Sequence, residues 1–177
     1  RFNDAQDHLD HMGRILQAFP FPELICSRLA MNGVICLMQG RTKRMKELVD
    51  SMDRLLAEHK LFSMDTTVRI AEGYLAVMEE NDERMREVAN YLIAHSKAVG
   101  DQYTLSSTHL LMSASAYIQQ RYDEALSLAE TAIAAMGLPA GHADDHLIIT
   151  KVILGLAHIH LGRWETADGY LADAEAY

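Results

Sequence analysis

The chain has 177 residues, of which 49% are hydrophobic and 23% charged, and its formal net charge is −9. This composition is typical of a folded protein that can bury one sizeable core, and it argues against disorder. The negative charge argues against direct contact with nucleic acid and against an anionic membrane surface, because both need a basic face. The nearest thing to a basic patch is predicted to be a solvated helix face: Arg41, Lys43, Arg44 and Lys46.

Helical periodicity covers nearly the whole chain, and proline is rare. The predicted helices span 1–18, 22–39, 42–60, 64–79, 82–99, 102–119, 122–136, 143–161 and 164–176. Pro22 suits the first turn of the second helix, where its missing N–H has no partner to lose. Ser63 or Asp65 is the expected N-cap of the fourth helix. Gly100 is expected to end the fifth helix, and the longest break lies at 137–141.

Small residues recur at one position of alternate helices. Gly155, Ser113, Gly73 and Gly33 are 42, 40 and 40 residues apart. Each is followed seven or eight residues later by a turn and then by a second helix. This second helix has a small or flexible apolar residue in its first turn, such as Ala167 or Met45. The pattern predicts tandem helical hairpins over 22–60, 64–99, 102–136 and 143–177. Residues 1–18 match a second helix, which predicts a truncated first repeat cut from a longer array.

The first and second helices of each predicted hairpin differ in their apolar faces. First helices carry two apolar stripes, one through Gly33 and one through Val34, so they are expected to be buried between neighbours. Second helices carry one stripe and are expected to form a solvated outer layer. A single hairpin cannot bury both stripes alone, whereas stacked hairpins can.

The two cysteines indicate whether the protein is found in a reducing or an oxidising cellular compartment. Cys26 and Cys36 are ten residues apart in one predicted helix, or about 15 Å along its axis, which is too far for a disulfide. Both are predicted to be small buried hydrophobes, which suits a reducing cytoplasm. No secretory signal and no apolar run of membrane-spanning length occurs in these residues.

The clearest repeats resemble the tetratricopeptide family. The resemblance rests on Gly155, Gly162, Trp164, Ala167 and Ala174, and on the matching series Ser113, Tyr122, Ala125 and Ala132. It implies an all-α, right-handed solenoid of antiparallel hairpins, with about nine helices in one domain. The period of 40–42 residues exceeds the family's 34, and HEAT-type repeats are the alternative with a similar period.

Repeats of this length are similar to the sensor array of large bacterial LuxR-type transcription regulators, such as the maltose-system activator. That resemblance implies a cytoplasmic regulator with an ATP-binding domain before the array and a helix-turn-helix domain after it. The alternative is a scaffold or chaperone-like adaptor with no role at DNA, and a third is the accessory domain of an enzyme. No P-loop or other catalytic motif occurs in the chain, so we expect neither catalysis nor a cofactor from it.

Three histidine patterns have an ordinary explanation beside a functional one. His142 and His146 flank two aspartates with the i, i+4 spacing of a metal site, but capping at a loop–helix junction explains them as well. His8 and His11 are weaker candidates of the same kind. His158 and His160 point about 200° apart, so His158 is predicted to be a hydrogen-bonded core residue and His160 to face a partner.

The predicted binding surface is the concave side formed by the first helices, where solenoids commonly bind a protein, peptide or small effector. The residues assigned to it are apolar with a few hydroxyl groups: Ser27, Val34, Met38, Thr67, Tyr74, Met78, Ser107, Ala114, Tyr117, Ile118, Leu156 and His160. The site prediction selects Thr67, Tyr74, Met78, Ser107, Tyr117 and His160. Tyr74, Tyr117 and His160 are expected to be the most exposed. The alternative is that the same stripe is core between adjacent hairpins.

Overall fold

A computed structural model describes residues 2–137 and 145–176. Over these ranges the protein consists of nine α-helices and one short 3₁₀ helix, Phe62–Met64, with no strand. The helices are α1 (Phe2–Ala18), α2 (Pro22–Met38), α3 (Thr42–His59), α4 (Asp65–Met78), α5 (Asp82–Val99), α6 (Gln102–Ile118), α7 (Tyr122–Met136), α8 (Asp145–His160) and α9 (Trp164–Glu175). The prediction of an all-helical chain with nine helices is confirmed for this part of the sequence.

Local sequence signals account for most of the helix ends. Pro22 opens α2, and Gly100 follows α5 with a φ of 74°, a left-handed conformation that glycine adopts at little cost. The side chain of Asn81 caps α5 by accepting the Arg84 N–H at 3.0 Å. The prediction of Ser63 or Asp65 as the cap of α4 is wrong. Ser63 lies inside the 3₁₀ helix, and α4 follows it directly, so no extended residue is left to act as a side-chain cap.

The chain divides into two compact units, Arg1–Glu79 and Glu80–Tyr177. The first unit contains α1 to α4. Helix α2 contacts α1, α3 and α4, and α3 also contacts α4. The buried core of this unit lies between α2, α3 and α4. It includes Cys26, Cys36, Met45, Leu48, Val49, Met52, Val68, Ala71 and Leu75.

Both cysteines are buried on α2, as predicted. Burial raises the pKa of the Cys26 and Cys36 thiols, and for Cys26 the nearby carboxylate of Asp53 raises it further. Both side chains therefore stay protonated at neutral pH and act as small apolar groups in this core.

Small residues allow close helix approach in the first unit. A Cβ atom at Gly33 of α2 would lie 3.0 Å from the Met45 sulfur on α3. On the opposite side of α3, the charged residues Lys46, Glu47, Asp50 and Arg54 are exposed, as are Arg41, Lys43 and Arg44. The predicted inner and outer sides of α3, the second helix of its predicted hairpin, are thus both confirmed. The cluster of basic residues on α3 and just before it is a solvated face.

The second unit contains α5 to α9. Helix α6 contacts α5, α7 and α8; α7 also contacts α8, and α8 contacts α9. Buried Leu126 and Ala129 of α7 pack with Leu154 and Ala157 of α8. The buried Ser113 hydroxyl of α6 donates to the Ala125 carbonyl oxygen of α7 at 2.7 Å. A Cβ atom at Gly155 would come within 2.7 Å of the Leu171 side chain on α9. Ser113 and Gly155 therefore occupy equivalent close-approach positions.

One arginine in each unit ties helices together. In the first unit, Arg69 of α4 pairs with Glu72 on its own helix and with Asp53 on α3. In the second, Arg121 at the start of α7 pairs with Asp82 of α5 at 2.7 Å and with Glu124. Asn32 of α2 links a further pair of helices, because its Oδ1 accepts from the Gln6 amide of α1 at 3.3 Å.

His109 should make the stability of the protein depend on pH. It is half-buried on α6, and its Nδ1 has no hydrogen-bond partner among the described residues. Burial lowers the pKa of His109, and the positive charge of Lys97 lowers it further. The unfolded chain therefore binds this proton more readily than the folded chain. The folded chain therefore has its full stability with respect to His109 above the unfolded pKa of about 6.5, where this side chain is neutral in both states. Part of that stability is lost as pH falls below this value, because folding then opposes protonation of His109.

The measurement is urea unfolding at about pH 7.5 and about pH 5.5, on either side of that pKa. We expect the loss of unfolding free energy between the two to be larger for the wild type than for His109→Gln, which cannot titrate there. The same loss in both proteins would show that other groups carry the pH dependence.

Candidate binding face on two neighbouring helices

The six predicted binding residues fall into two groups, one in each compact unit. Thr67, Tyr74 and Met78 lie on α4 of the first unit. All three are partly buried, and Tyr74 and Met78 pack against the core cluster of that unit. The expectation that Tyr74 is among the most exposed of the predicted residues is wrong, because its ring lies against that core. For Tyr74 and Met78 the alternative interpretation, core between helices, fits the structure better.

In the second unit the structure brings Tyr117 and His160 together. The Tyr117 hydroxyl oxygen lies 3.1 Å from Nε2 of His160, so α6 and α8 are joined by a hydrogen bond between their C-terminal ends. The Tyr122 ring, at the start of α7, stacks on His160 with centroids 4.5 Å apart and planes 5° apart. His160 is exposed, whereas Tyr117 and Tyr122 are half-buried, which corrects the expectation of an exposed Tyr117.

Electrostatics fix the protonation of the phenol in this group. Burial raises the pKa of Tyr117, and the neighbouring Tyr122 raises it further. The hydroxyl is therefore protonated at neutral pH and can donate to Nε2 of His160 in the tautomer that leaves this nitrogen without a hydrogen. In the other tautomer Nε2–H donates and the Tyr117 oxygen accepts.

A second tyrosine–histidine pair joins the other ends of the same two helices. The hydroxyl oxygen of Tyr103 on α6 lies 3.1 Å from Nε2 of His146 on α8, and the rings stack with centroids 4.9 Å apart. The Ser107 hydroxyl lies 3.1 Å from Nδ1 of the same histidine. Ser107 is buried and also donates to the Tyr103 carbonyl oxygen at 2.9 Å. It therefore positions His146 and is not itself accessible for binding.

The two pairs have the same sequence separation of 43 residues. Along each helix the paired residues are 14 positions apart, which is close to four turns and about 21 Å. Both pairs therefore mark one continuous strip on α6 and α8. We define the α6–α8 face by these residues and by the exposed apolar side chains beside them: Tyr103, Tyr117, Tyr122, His146, His160, Ile118 and Ile149.

Apolar packing supports the α6–α8 face from below. Buried Leu110 of α6 packs with Ile153 of α8 and Ala132 of α7, and Ala114 and Tyr117 border this cluster. The strip thus lies over packed apolar side chains, with hydrogen-bonded rings at its two ends and the exposed Ile118 and Ile149 close in sequence to those rings. Such a surface can bury an apolar stripe of a partner and form hydrogen bonds near both ends of that stripe.

Sequence reasoning missed three members of this face. Tyr103 was not a candidate, Tyr122 served only as a turn residue, and His146 was assigned to capping or metal. For Tyr103 and His146 the signal is a recurring spacing. A tyrosine on one first helix stands 43 residues before a histidine on the next, and it does so twice, close to the repeat offset of 42. Tyr122 has no such signal.

The other histidine predictions have mixed outcomes. His158 is buried as predicted, and its ring stacks on Tyr170 with centroids 5.6 Å apart. Its Nδ1, however, has no hydrogen-bond partner among the described residues, so the expected satisfied core histidine is only half confirmed. Burial there follows from stacking and packing rather than from a polar contact. His8 and His11 are exposed on α1.

The possible metal site falls partly on residues 138–144. His142 and Asp144 lie outside the described residues, while His146 is used by Tyr103 and Ser107. Over the residues that are described, no group of three or more histidine, cysteine or acidic side chains is arranged to hold a metal ion. In the same part of the chain, no helix combines the length and apolar character that a membrane crossing needs.

Comparison of the chain with protein-family models, with curated proteins and with solved structures finds no match. Any function must therefore be inferred from the residues and contacts of the chain itself.

Proposed function

We propose that this chain is a binding module whose α6–α8 face holds an amphipathic segment of a protein or peptide. The observation that carries the proposal is the repeated tyrosine–histidine pair, which places polar rings at both ends of a strip with exposed Ile118 and Ile149. Isolated apolar side chains on a surface are ordinary, but apolar residues bounded by oriented hydrogen-bonding groups are typical of binding faces.

The dimensions of the face favour a helical partner. The two pairs are separated by about 21 Å, which equals about four turns of helix. A partner helix of that length can bury one apolar stripe against Ile118 and Ile149 and place polar groups near His146 and His160. The acidic net charge of −9 favours a partner whose remaining surface is neutral or basic.

Within the whole protein, we propose that the helices form a tetratricopeptide-like solenoid of antiparallel hairpins and that this array senses an effector for a LuxR-type transcription regulator. The pairing of alternate helices supports the arrangement, since α6 contacts both α7 and α8 and α2 contacts both α3 and α4. Binding would act on the regulator by favouring the conformation that presents the face. The adaptor function is the alternative, with the same face and no DNA-binding domain.

The binding proposal is tested by selecting peptides from a displayed library on the whole 177-residue chain and measuring their dissociation constants by fluorescence anisotropy. We expect His160→Ala and Ile149→Glu each to weaken the selected peptides by at least about tenfold, or 1.4 kcal/mol. The first substitution removes the ring that links Tyr117 and Tyr122, and the second places a charge in the apolar strip.

The matched control uses a tyrosine–histidine pair outside the face. Tyr91 and His95 stack on α5 with centroids 6.2 Å apart. His95→Ala should leave the affinity within about twofold of wild type, because that ring does not border the strip. Equal losses for His95→Ala and His160→Ala, or selected peptides insensitive to Ile149→Glu, would contradict the assignment of the face.

The regulator and adaptor proposals differ in the flanking sequence. A regulator requires a P-loop domain before the repeats and a helix-turn-helix after them, whereas an adaptor predicts further repeats only. The complete reading frame decides between them without any assay of binding.

A further inference from the structure

The α6–α8 face differs from the rest of the chain in its charge. Helix α6 contains no aspartate, glutamate, lysine or arginine, although 23% of all residues of the chain are charged. Among the described side chains of α8, only that of Lys151 carries a permanent charge, and its Nζ donates to the Asp173 carboxylate of α9 at 3.0 Å. The charge that a partner meets on this face is therefore set by histidines.

Only two of the four histidines on α6 and α8 belong to the face. Burial lowers the pKa of His109, and the charge of Lys97 on α5 lowers it further, which places this ring toward α5. His158 is buried and stacks on Tyr170 of α9 with centroids 5.6 Å apart. The remaining two are the histidines of the tyrosine–histidine pairs.

Carboxylates near the face keep a constant charge over the range in which histidine titrates. The acidic residues of α7 and of the first position of α8 are Asp123, Glu124, Glu130 and Asp145. Glu124 pairs with Arg121. Asp123 lies 3.6 Å from the guanidinium of Arg163. Because carboxylates ordinarily titrate near pH 4 and histidine near pH 6.5, only the two histidines change the charge of the face between about pH 7.5 and about pH 5.5.

Both imidazoles can carry a second proton in the free chain without losing their hydrogen bonds. His160 is exposed, so water can accept from its Nδ1–H while the Tyr117 oxygen accepts from Nε2–H. The Ser107 hydroxyl donates to the Tyr103 carbonyl oxygen, so its own oxygen can accept from Nδ1–H of His146. Protonation then changes the face from uncharged to positive and leaves its hydrogen-bonded pairs in place.

We propose that protonation of His146 and His160 releases the partner from the α6–α8 face, and that the partner is uncharged or basic where it meets the two pairs. This inference rests on the proposed function and adds its regulation. A bound helix covers both ends of the strip and excludes water from the rings. An imidazolium buried in this way, opposite a partner that offers no carboxylate, costs binding free energy that the neutral ring does not cost.

The expected size of the effect follows from the fraction of binding-competent molecules. A histidine with the ordinary titration point is protonated in about ten of eleven molecules one pH unit below that point. If only the neutral form binds, the dissociation constant rises by about tenfold for one such histidine and by up to about a hundredfold for two.

The test measures fluorescence anisotropy of a rhodamine-labelled peptide on the whole chain at about pH 7.5 and about pH 5.5. The peptide is selected at the higher pH from a helix-forming library without Asp, Glu and His, so the probe itself does not titrate. We expect its dissociation constant to rise by at least about tenfold at the lower pH. Circular dichroism at both values shows that the chain stays folded.

Three variants assign the pH effect to the face. In the double variant His146→Gln and His160→Gln, the amides can still bond the tyrosine hydroxyls but do not titrate, so the ratio of the two dissociation constants should fall to within about twofold. His95→Gln on α5 should keep the wild-type ratio. So should His109→Gln, which removes the titration that affects stability and thereby separates release from unfolding.

Nuclear magnetic resonance gives a second readout that does not depend on the affinity of the double variant. The Cε1–H signal of His160, assigned from its loss in His160→Gln, should titrate at lower pH in the peptide complex than in the free chain. The same midpoint in both states would overturn the proposal, and so would a wild-type pH ratio in the double variant.

The two proposals fail in different ways. Peptides that are weakened by Ile149→Glu but bind equally well at both pH values would overturn this inference and leave the binding face in place. If no selected peptide is sensitive to Ile149→Glu, the proposed function is itself contradicted, and its regulation with it.

Discussion

Replacing Gly155 by leucine lowers the free energy of unfolding by about 1–3 kcal/mol. Even a single Cβ atom at this position would lie 2.7 Å from two atoms of Leu171 and 3.4 Å from the backbone oxygen of Ala167. A leucine adds three further carbon atoms in a direction where α9 is already in contact. Either α8 and α9 move apart, or Leu171 leaves its rotamer, and both responses lose packing. Urea unfolding followed by circular dichroism measures the change.

Gly169 supplies the matched control on the partner helix. It lies in the interior of α9, it is exposed, and a Cβ atom there would meet nothing within 4 Å. Gly169→Ala should therefore raise the unfolding free energy by roughly 0.5–1 kcal/mol through helix propensity alone. The two glycines are predicted to respond with opposite signs although they are 14 residues apart in adjacent helices. A gain or no change at Gly155 would show that α8 and α9 do not approach closely at this point.

Replacing Arg69 by methionine lowers the unfolding free energy at neutral pH by about 2–3 kcal/mol. Arg69 contacts three carboxylates, those of Asp53, Asp65 and Glu72, and Glu72 is only 8% exposed. The substitution keeps most of the aliphatic stem but removes the positive charge that these groups share. Their mutual repulsion and the burial of Glu72 then oppose folding.

Two further variants separate this charge effect from general damage to the first unit. Arg44→Met removes a guanidinium from an exposed Arg44–Glu47 pair on α3 and should change stability by no more than about 0.5 kcal/mol. Adding Glu72→Gln to Arg69→Met should recover part of the loss, because the remaining charge near the site is smaller. If the double variant is no more stable than Arg69→Met, the loss comes from packing and not from unbalanced charge.

Helix positions were predictable because their signals are local. The first and last residues of α5 follow from Asn81 and Gly100, and the last residue of α7 follows from Gly137, because the Asn81 side chain and the backbone freedom of the two glycines act within one turn of the helix end. The start of α4 was not predictable in the same way. Its cap assignment required knowing that Phe62–Met64 forms a 3₁₀ turn that leads directly into the helix. The turn begins at Leu61, which is buried and whose carbonyl oxygen accepts the Met64 N–H at 2.9 Å.

The binding residues were predictable only in part, because exposure depends on which neighbour covers a stripe. Val34 and Met38 of α2 stand 40 residues before Tyr74 and Met78 of α4. The two residues of α2 are exposed, whereas the two of α4 pack against the core of the unit. An apolar stripe in the sequence indicates that one face of a helix is apolar. It does not indicate which other helix covers that face.

The sequence by itself determined the all-helical character of the chain, the limits of most helices and the inner and outer sides of α3. These follow from periodicity and end signals, which are properties of a few consecutive residues. Only the tertiary structure decided that two tyrosine–histidine pairs meet across α6 and α8, and that Met31, Val34 and Met38 of α2 are exposed. Contacts between residues 43 positions apart depend on helix packing, so the physical information that fixes them is spread over several helices and is absent from any single stretch.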